Sequence, residues 1–152
     1  MIEYYYEKEI KTLNKSRIKY LVVGGFAVNL YGVHRLTKDL DLMIDLSENH
    51  LAHFMKEISK LGYSTNVPEN KWSKCAAIAF KSKDDEDKRI DVFMKNPINF
   101  SVAYRKRKVF RPAGYNISCV GFDDLIILKN KADRLRDWID VGSLKRMREL
   151  RK

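Results

Sequence analysis

The chain has 152 residues and a formal net charge of +10, from 30 Lys and Arg against 20 Asp and Glu. The length suits a single domain with its own core, and a hydrophobic fraction of 45% with 7 Gly and 3 Pro excludes a chain that is disordered throughout. No apolar run approaches the roughly 18 residues of a membrane span, so we expect a cytoplasmic protein that makes no contact with membranes.

The first half of the chain predicts alternating helices and strands. Apolar side chains recur at helical spacing within residues 2–13, which predicts an amphipathic helix. The short apolar run 20–23 predicts a buried strand that ends at the pair Gly24-Gly25, where a helix over 26–31 begins. The next predicted elements are a strand over 40–46 and a helix that begins after the N-cap Ser47 and ends at Gly62.

The second half predicts a hairpin, one further strand and C-terminal helices. The hairpin strands are 75–80 and 89–94, joined by an acidic turn. The further strand is 115–120, and residues 123–150 predict either one long helix or two successive helices. We therefore expect a single α/β domain over 1–152, with a small mixed sheet flanked by helices. The sheet core is expected in 1–96, and a basic segment, a strand and the C-terminal helices in 97–152.

The positive charge is concentrated in two segments. Basic residues cluster at 105–108 with Arg111, and again at 145–152. One interpretation is a solvated surface that keeps the protein in solution. The other is attraction to a polyanion such as tRNA, or to a nucleoside triphosphate. The sequence leaves both interpretations open.

Two aspartates inside an apolar run predict a cation site. Asp39 and Asp41 stand at positions i and i+2, so a strand would place both carboxylates on one face. Like charges this close raise each other's pKa unless a cation lies between them, and Mg²⁺ takes oxygen ligands of this kind. The pair Gly24-Gly25 lies shortly upstream and offers backbone amides that a phosphate can approach. Together these features predict metal-dependent chemistry on a nucleotide.

A third aspartate lies in the second hairpin strand. Asp91 is a lone carboxylate among apolar residues, and Asp39, Asp41 and Asp91 can converge at one end of a sheet. Three acids holding two metal ions suit the in-line attack of a hydroxyl on the α-phosphate of a nucleotide. Structural roles stay open beside this one, because Asp39 can cap a turn and Asp91 can pair with Arg89 or with a neighbouring strand.

The chain combines a Gly-Gly pair followed by a helix, the motif Arg35-x-Thr37-x-Asp39-Leu40-Asp41, and a distant single Asp on a strand. In this combination it resembles the nucleotidyltransferase superfamily with the DNA polymerase β-like palm. The later stretch from Asp124 to Asp140 is similar to the minimal bacterial nucleotidyltransferases of the AbiEii toxin type and to small antibiotic-modifying enzymes. The resemblance covers roughly residues 20–141. It implies a nucleotidyltransferase (polymerase β-like) core.

The resemblance also implies two sets of site residues. The catalytic and metal-binding set, for two Mg²⁺ or Mn²⁺ ions, is Asp39, Asp41 and Asp91. The nucleotide-binding set is Gly24, Gly25, Arg35, Thr37 and Lys129. Many relatives carry Gly-Ser where this chain has Gly-Gly, so a serine contact to phosphate is missing. Asp137 or Asp140 completes a second motif of the family, or these two form ordinary helix pairs, Arg134–Asp137 and Arg136–Asp140.

The expected function is therefore transfer of a nucleoside monophosphate from a triphosphate to a hydroxyl, with release of pyrophosphate. The acceptor stays open between an RNA 3′ end such as that of tRNA, a protein side chain and a small molecule. The protein would be a toxin–antitoxin component in some of these cases, with a second copy or an antitoxin as partner. The alternative is a non-catalytic RNA- or protein-binding or antitoxin module on the same fold, or a basic RNA-binding domain whose acids are structural.

Overall fold

The computed structural model of the protein describes residues 2–152, and these residues contain seven α-helices and a seven-stranded sheet. The helices are α1 (Ile2–Tyr5), α2 (Glu7–Lys15), α3 (Gly24–Leu30), α4 (Glu48–Lys60), α5 (Phe100–Arg105), α6 (Phe122–Ala132) and α7 (Leu135–Leu150). The strands are β1 (Tyr20–Val23), β2 (Leu40–Ile44), β3 (Tyr63–Ser64), β4 (Ala77–Ser82), β5 (Arg89–Phe93), β6 (Lys108–Phe110) and β7 (Ile117–Cys119). None of the helices in this part of the chain has the length and apolarity needed to traverse a bilayer.

The sheet is mixed, with strand order β3-β4-β5-β2-β1-β7-β6. Strand β2 runs antiparallel to β1 and parallel to β5, and β1 runs parallel to β7. The register places Asp41 opposite Asp91 on β5 and opposite Val23 on β1. Val23, Asp41 and Asp91 are therefore neighbours across three adjacent strands.

Strand side chains alternate, so β2 and β5 present one wholly apolar face and a second face on which Asp41 and Asp91 lie beside Met43 and Phe93. Leu40, Leu42, Ile90 and Val92 are fully buried in the core. The residues between them are only partly buried. The same alternation that builds the core thus directs Asp41 and Asp91 away from it, to the face on which the candidate site lies.

The N-terminal helices seal one side of the core. Tyr6, Ile10 and Leu13 are buried, and the Tyr6 ring packs edge-on against Phe26 of α3 at 5.6 Å between centroids. The Tyr63 hydroxyl donates to the buried Glu9 carboxylate at 2.6 Å, which joins α2 to β3. The amphipathic helix predicted for this segment is confirmed, with a break at Tyr6 between α1 and α2.

The predicted elements are all present, and four short ones were not predicted. The unpredicted elements are α5, β3, β6 and a 3₁₀ helix over Glu69–Lys74. Two of the three residues of the edge strand β6 are exposed, so its sequence carries no apolar alternation and only pairing with β7 defines it. The C-terminal helical stretch is two helices, because Asp133 adopts a left-handed conformation with φ of 54°.

Candidate active site

The three predicted acids meet at the β2–β5 boundary. Asp39 directly precedes β2, and Asp41 and Asp91 are register partners on the two parallel strands. Arg89, two residues before Asp91, joins two of them: its Nη2 lies 2.8 Å from Oδ2 of Asp39 and 3.0 Å from Oδ2 of Asp91. The structure therefore brings the predicted carboxylates together and adds a guanidinium that bridges two of them.

Asp41 is the acid that this bridge leaves out. Burial, followed by repulsion from the carboxylates of Asp91 and Asp39, raises the pKa of Asp41 to about 7. The Asp91 hydrogen bond in turn raises the pKa of the Arg89 guanidinium. Negative charge on Asp41 is thus under-compensated by the chain itself, as expected of a carboxylate built to receive a cation.

Asp41 lowers the stability of the folded protein at neutral pH. Its pKa lies near 7 in the folded state and near 3.8 in the unfolded chain, so its ionisation weakens the fold as the pH rises from 4 and has its full effect above 7. We expect Asp41→Asn to be more stable than wild type at pH 8 in EDTA. Its gain in the free energy of unfolding over wild type should be about 2 kcal/mol larger at pH 8 than at pH 5. Thermal or urea unfolding at both pH values measures it. Exposed Asp123→Asn is the control, and an Asp41→Asn difference that does not change with pH contradicts the expectation.

The glycine pair fits closely against the same residues. Gly24 has φ of +69°, and a Cβ there would overlap the Asp41 carboxylate. A Cβ at Gly25 would overlap the Arg35 guanidinium and lie 2.6 Å from Oγ1 of Thr37. The chain therefore carries no side chain where the turn between β1 and α3 meets Asp41, Arg35 and Thr37. A side chain at position 25 would require Arg35 and Thr37 to move.

Two adjacent cavities are lined in part by the acids. A polar cavity of about 210 Å³ is bounded by the glycine pair and by the loop from Arg35 to Asp39. A second cavity of about 400 Å³ lies between the sheet and the helices α6 and α7. Its apolar wall consists of Val23, Ala77, Phe93, Leu125, Leu128 and Ala132. The residues that border both cavities are Gly24, Asp41, Arg89, Asp91, Lys129, Arg134 and Arg136.

Lys129 is held in a buried ion-pair network. Only 5% of its side chain is exposed, and its Nζ lies 3.2 Å from Oδ1 of Asp137 and 2.9 Å from Oδ2 of Asp140. Asp137 also accepts from Arg134 at 2.6 Å, and Asp140 pairs with Arg35 at 3.1 Å. Burial opposes ionisation of Asp137, but hydrogen bonds from Arg134 and the charge of Lys129 hold its pKa below the usual value. The network links α6 and α7 to the loop that carries Asp39.

This network decides between two interpretations of the helical aspartates. The i, i+3 pair Arg134–Asp137 is present. Asp140 pairs with Lys129 and Arg35 rather than forming the i, i+4 pair with Arg136. Arg136 is exposed and borders both cavities. Both aspartates are buried, and through their ion pairs they position Lys129 and Arg35, which is more than an ordinary helix pair does.

Tyr6 is a site-supporting residue that the sequence did not reveal. Its hydroxyl donates to the backbone oxygen of Lys38 at 2.6 Å and accepts from the backbone N–H of Arg89 at 3.3 Å. It therefore ties the residue before Asp39 to the strand that carries Asp91. Helical spacing explained Tyr6 as a core residue, and no sequence signal indicates where its hydroxyl lies.

The donor set of the three acids fits a hard divalent cation in its chemistry. All donors are carboxylate oxygens, Gly24 places no side chain against Asp41, and burial together with the neighbouring carboxylates raises the pKa of Asp41. As the side chains stand in residues 2–152, no three acidic, His or Cys residues enclose a point where an ion would fit. At this site the Arg89 guanidinium contacts both Asp39 and Asp91. A cation held by all three acids would take the place of that guanidinium.

The chain is similar to known proteins in sequence and in fold. Residues 6–150 match the family described as nucleotidyltransferase of unknown function (DUF6036). No curated protein sequence matches the chain.

Solved structures extend the similarity at low sequence identity. The crystal structure of the lincosamide antibiotic adenylyltransferase LnuA with lincomycin bound has a TM-score of 0.69 at 17% identity, covering 95% of this chain and 97% of that chain. An antigenic nucleotidyltransferase-like protein from Paracoccidioides brasiliensis has a TM-score of 0.63 at 15% identity, covering 94% and 73%. A putative nucleotidyltransferase from Thermotoga maritima, TM1012, has a TM-score of 0.59 at 16% identity, covering 89% and 90%. At such identities the likeness establishes the fold, and the predicted nucleotidyltransferase core with its mixed sheet is confirmed.

Proposed function

We propose that this chain, which belongs to the nucleotidyltransferase family matched by residues 6–150, transfers a nucleoside monophosphate from a nucleoside triphosphate to a hydroxyl group. The membership confirms the resemblance to the nucleotidyltransferase superfamily drawn from the sequence. The observation that carries the proposal is the pairing of Asp41 with Asp91 across two parallel strands, beside Asp39 and the glycine turn.

The polar cavity suits the triphosphate. It is lined by the backbone of Gly24 and Gly25, by Thr37, and by the cations Arg35 and Lys129. Backbone amides and guanidinium groups bind phosphate oxygens, and the lysine adds a point charge. Arg35 and Lys129 are already held by Asp137 and Asp140, so they meet the triphosphate as pre-positioned charges.

Asp39, Asp41 and Asp91 would hold two Mg²⁺ or Mn²⁺ ions, which when bound lower the pKa of the acceptor hydroxyl and neutralise the leaving pyrophosphate. The acceptor oxygen forms a bond to the α-phosphorus while the bond to pyrophosphate breaks. Asp41 and Asp91 border both cavities, so they lie between a nucleotide in one cavity and an acceptor in the other. Arg89 borders both as well, and on leaving the carboxylates its guanidinium can contact phosphate.

The larger cavity suits the acceptor. Its volume of about 400 Å³ lies within the range of small-molecule sites, and its lining is partly apolar and partly charged. This lining suits a hydroxyl group carried on a partly apolar body: a small molecule, as for LnuA and lincosamides, the terminal nucleoside of an RNA, or a protein side chain. An RNA or protein acceptor would fit a component of a toxin–antitoxin pair.

The proposal is tested by thermal shift with each of the four ribonucleoside triphosphates, with and without Mg²⁺, on wild type and Asp39→Asn/Asp41→Asn. A ligand at 100 times its Kd stabilises the native state by about 2.7 kcal/mol, so a binding nucleotide raises the melting temperature by several degrees. We expect a magnesium-dependent shift in wild type that the double variant lacks. The nucleotide that gives the shift is then used, labelled on its α-phosphate, in a transfer screen against RNA, protein and small hydroxyl compounds.

The Arg89 bridge favours a second candidate, the non-catalytic binding module. A chain that neutralises its own carboxylates has less need of a metal. This candidate predicts no shift with any triphosphate in a sample that melts cooperatively, and no labelled product when all four triphosphates, each labelled on its α-phosphate, are screened. That pair of results would overturn the transferase proposal.

A further inference from the structure

A basic pocket lies at the opposite end of β1 from the glycine turn. Its volume is about 370 Å³, and Lys19, the residue before β1, borders it together with Arg17 and Arg107. None of the residues that line this pocket, all within the described 2–152, is acidic. The proposed transferase chemistry leaves this concentration of positive charge without a role.

The pocket contains a planar cation held against an aromatic ring. Phe100 and Tyr104 of α5 stack with centroids 5.5 Å apart, and the Arg107 guanidinium lies 4.1 Å from the centroid of the Tyr104 ring. Nη1 of Arg107 donates to the Tyr104 backbone oxygen at 3.0 Å. Two contacts thus fix a guanidinium whose residue is otherwise exposed. A fixed guanidinium loses little further freedom when a ligand stacks on it.

Polar groups able to read a ligand line the rest of the pocket. Asn14 donates its amide to the Asn116 backbone oxygen at 2.6 Å, and Arg111 holds the Asn116 side chain. Ser118 also borders the pocket. The pocket therefore offers a planar group for stacking, further cations and fixed amide groups. Groups of these kinds bind an unstacked base and its flanking phosphates.

The charge around the pocket continues along one edge of the molecule. Arg105 and Lys108 are exposed on either side of Arg107, and β6 is the edge strand of the sheet. A track of positive charge beside a stacking plane suits a strand with many phosphates rather than a single nucleotide. A duplex keeps its bases stacked and cannot place one in the pocket.

We propose that the pocket formed by Arg17, Lys19, Tyr104 and Arg107 binds single-stranded RNA, with a base on the Arg107 guanidinium and phosphates on Arg17 and Lys19. The site is separate from the carboxylates and does not rest on the transferase proposal. It gives the basic segment 105–108 of the sequence a specific partner.

The test is fluorescence anisotropy with 12-nucleotide single-stranded RNA on wild type, Lys19→Ala/Arg107→Ala and Lys145→Ala/Arg146→Ala. Both double variants remove two exposed positive charges, the second pair from α7. We expect the pocket variant to bind at least about tenfold more weakly and the α7 variant to change by less than about threefold. Arg107→Lys keeps the positive charge but loses the planar guanidinium, so its affinity for RNA should lie between those of wild type and the pocket variant.

Three results would overturn this proposal: equal weakening by the two double variants, duplex RNA binding as tightly as the single strand, or no binding at 100 mM KCl. The melting temperature and any magnesium-dependent nucleotide shift should stay unchanged in the pocket variant, which separates this site from the carboxylate site. If Asp39→Asn/Asp41→Asn still binds RNA, this would also show that the pocket and the carboxylate site are independent. Loss of RNA binding in that variant would contradict a separate site.

Discussion

Asp41→Asn is expected to abolish nucleotide transfer while the protein stays folded. Asparagine has the shape of aspartate, so it keeps the packing against Gly24, but it lacks the negative charge that a divalent cation and the developing charge of the reaction require. Removal of one preorganised electrostatic group typically costs a rate factor of about 10²–10³, and a shared metal ligand should cost at least the upper end. We therefore expect transfer to fall by about a thousandfold or more.

The measurement is release of labelled pyrophosphate, together with the magnesium-dependent thermal shift of the nucleotide. Asp123→Asn is a matched control, because it makes the same chemical change at an exposed carboxylate that pairs with Arg148. The control should transfer at the wild-type rate. Transfer by Asp41→Asn within tenfold of wild type, with an unchanged magnesium requirement, would remove Asp41 from the site.

Lys129→Ala is expected to destabilise the protein strongly. The substitution leaves Asp137 and Asp140 buried with one cation less between them, although Arg134 and Arg35 remain. Breaking a buried ion pair costs about 3–5 kcal/mol, and we expect about 3 kcal/mol here, or about 10 °C in melting temperature. Chemical denaturation at pH 7 measures the change. Lys131→Ala is the control, since Lys131 is exposed on the same helix and should change the stability by less than about 0.5 kcal/mol.

The same variant should also be more sensitive to acid. A carboxyl whose folded pKa is lowered contributes stability above its unfolded pKa and loses it as the pH falls through the folded value. Without Lys129 the pKa of Asp137 rises, so acid unfolding should begin at a higher pH than in wild type. An unchanged melting temperature with weaker nucleotide binding would instead support a lysine whose main partner is the triphosphate, as the sequence motif indicated.

Much of this site could be predicted because it follows from local periodicity. Asp39 and Asp41 two residues apart, and Asp91 alone in an apolar strand, suffice to predict acids on the polar face of a sheet. The residues allowed Asp91 to converge with these two, but they did not determine that β2 and β5 are neighbours or that Asp41 aligns with Asp91, since strand order is a tertiary property.

The rest of the site depends on contacts between distant segments. Lys129 was expected at the triphosphate, and only the packing of α6 against α7 shows that two buried aspartates hold it. The spacing of Arg89 and Asp91 allowed a pair, but not the further contact with Asp39. The Tyr6 hydroxyl reaches backbone 32 and 83 positions away, and no pattern in the sequence predicts such a contact.

The long reach of the N-terminal helices has a consequence for the order of folding. Tyr6 contacts the backbone before Asp39 and at Arg89, and Tyr115 donates to the Glu3 backbone oxygen across 112 positions. Loops of this length close slowly, because their entropy is lost before the contacts that compensate for it form. Helices α1 and α2 can therefore find these partners only after the chain has been synthesised as far as Tyr115. The backbone on either side of the carboxylates, at Lys38 and Arg89, thus takes its final place through contacts that form late in folding.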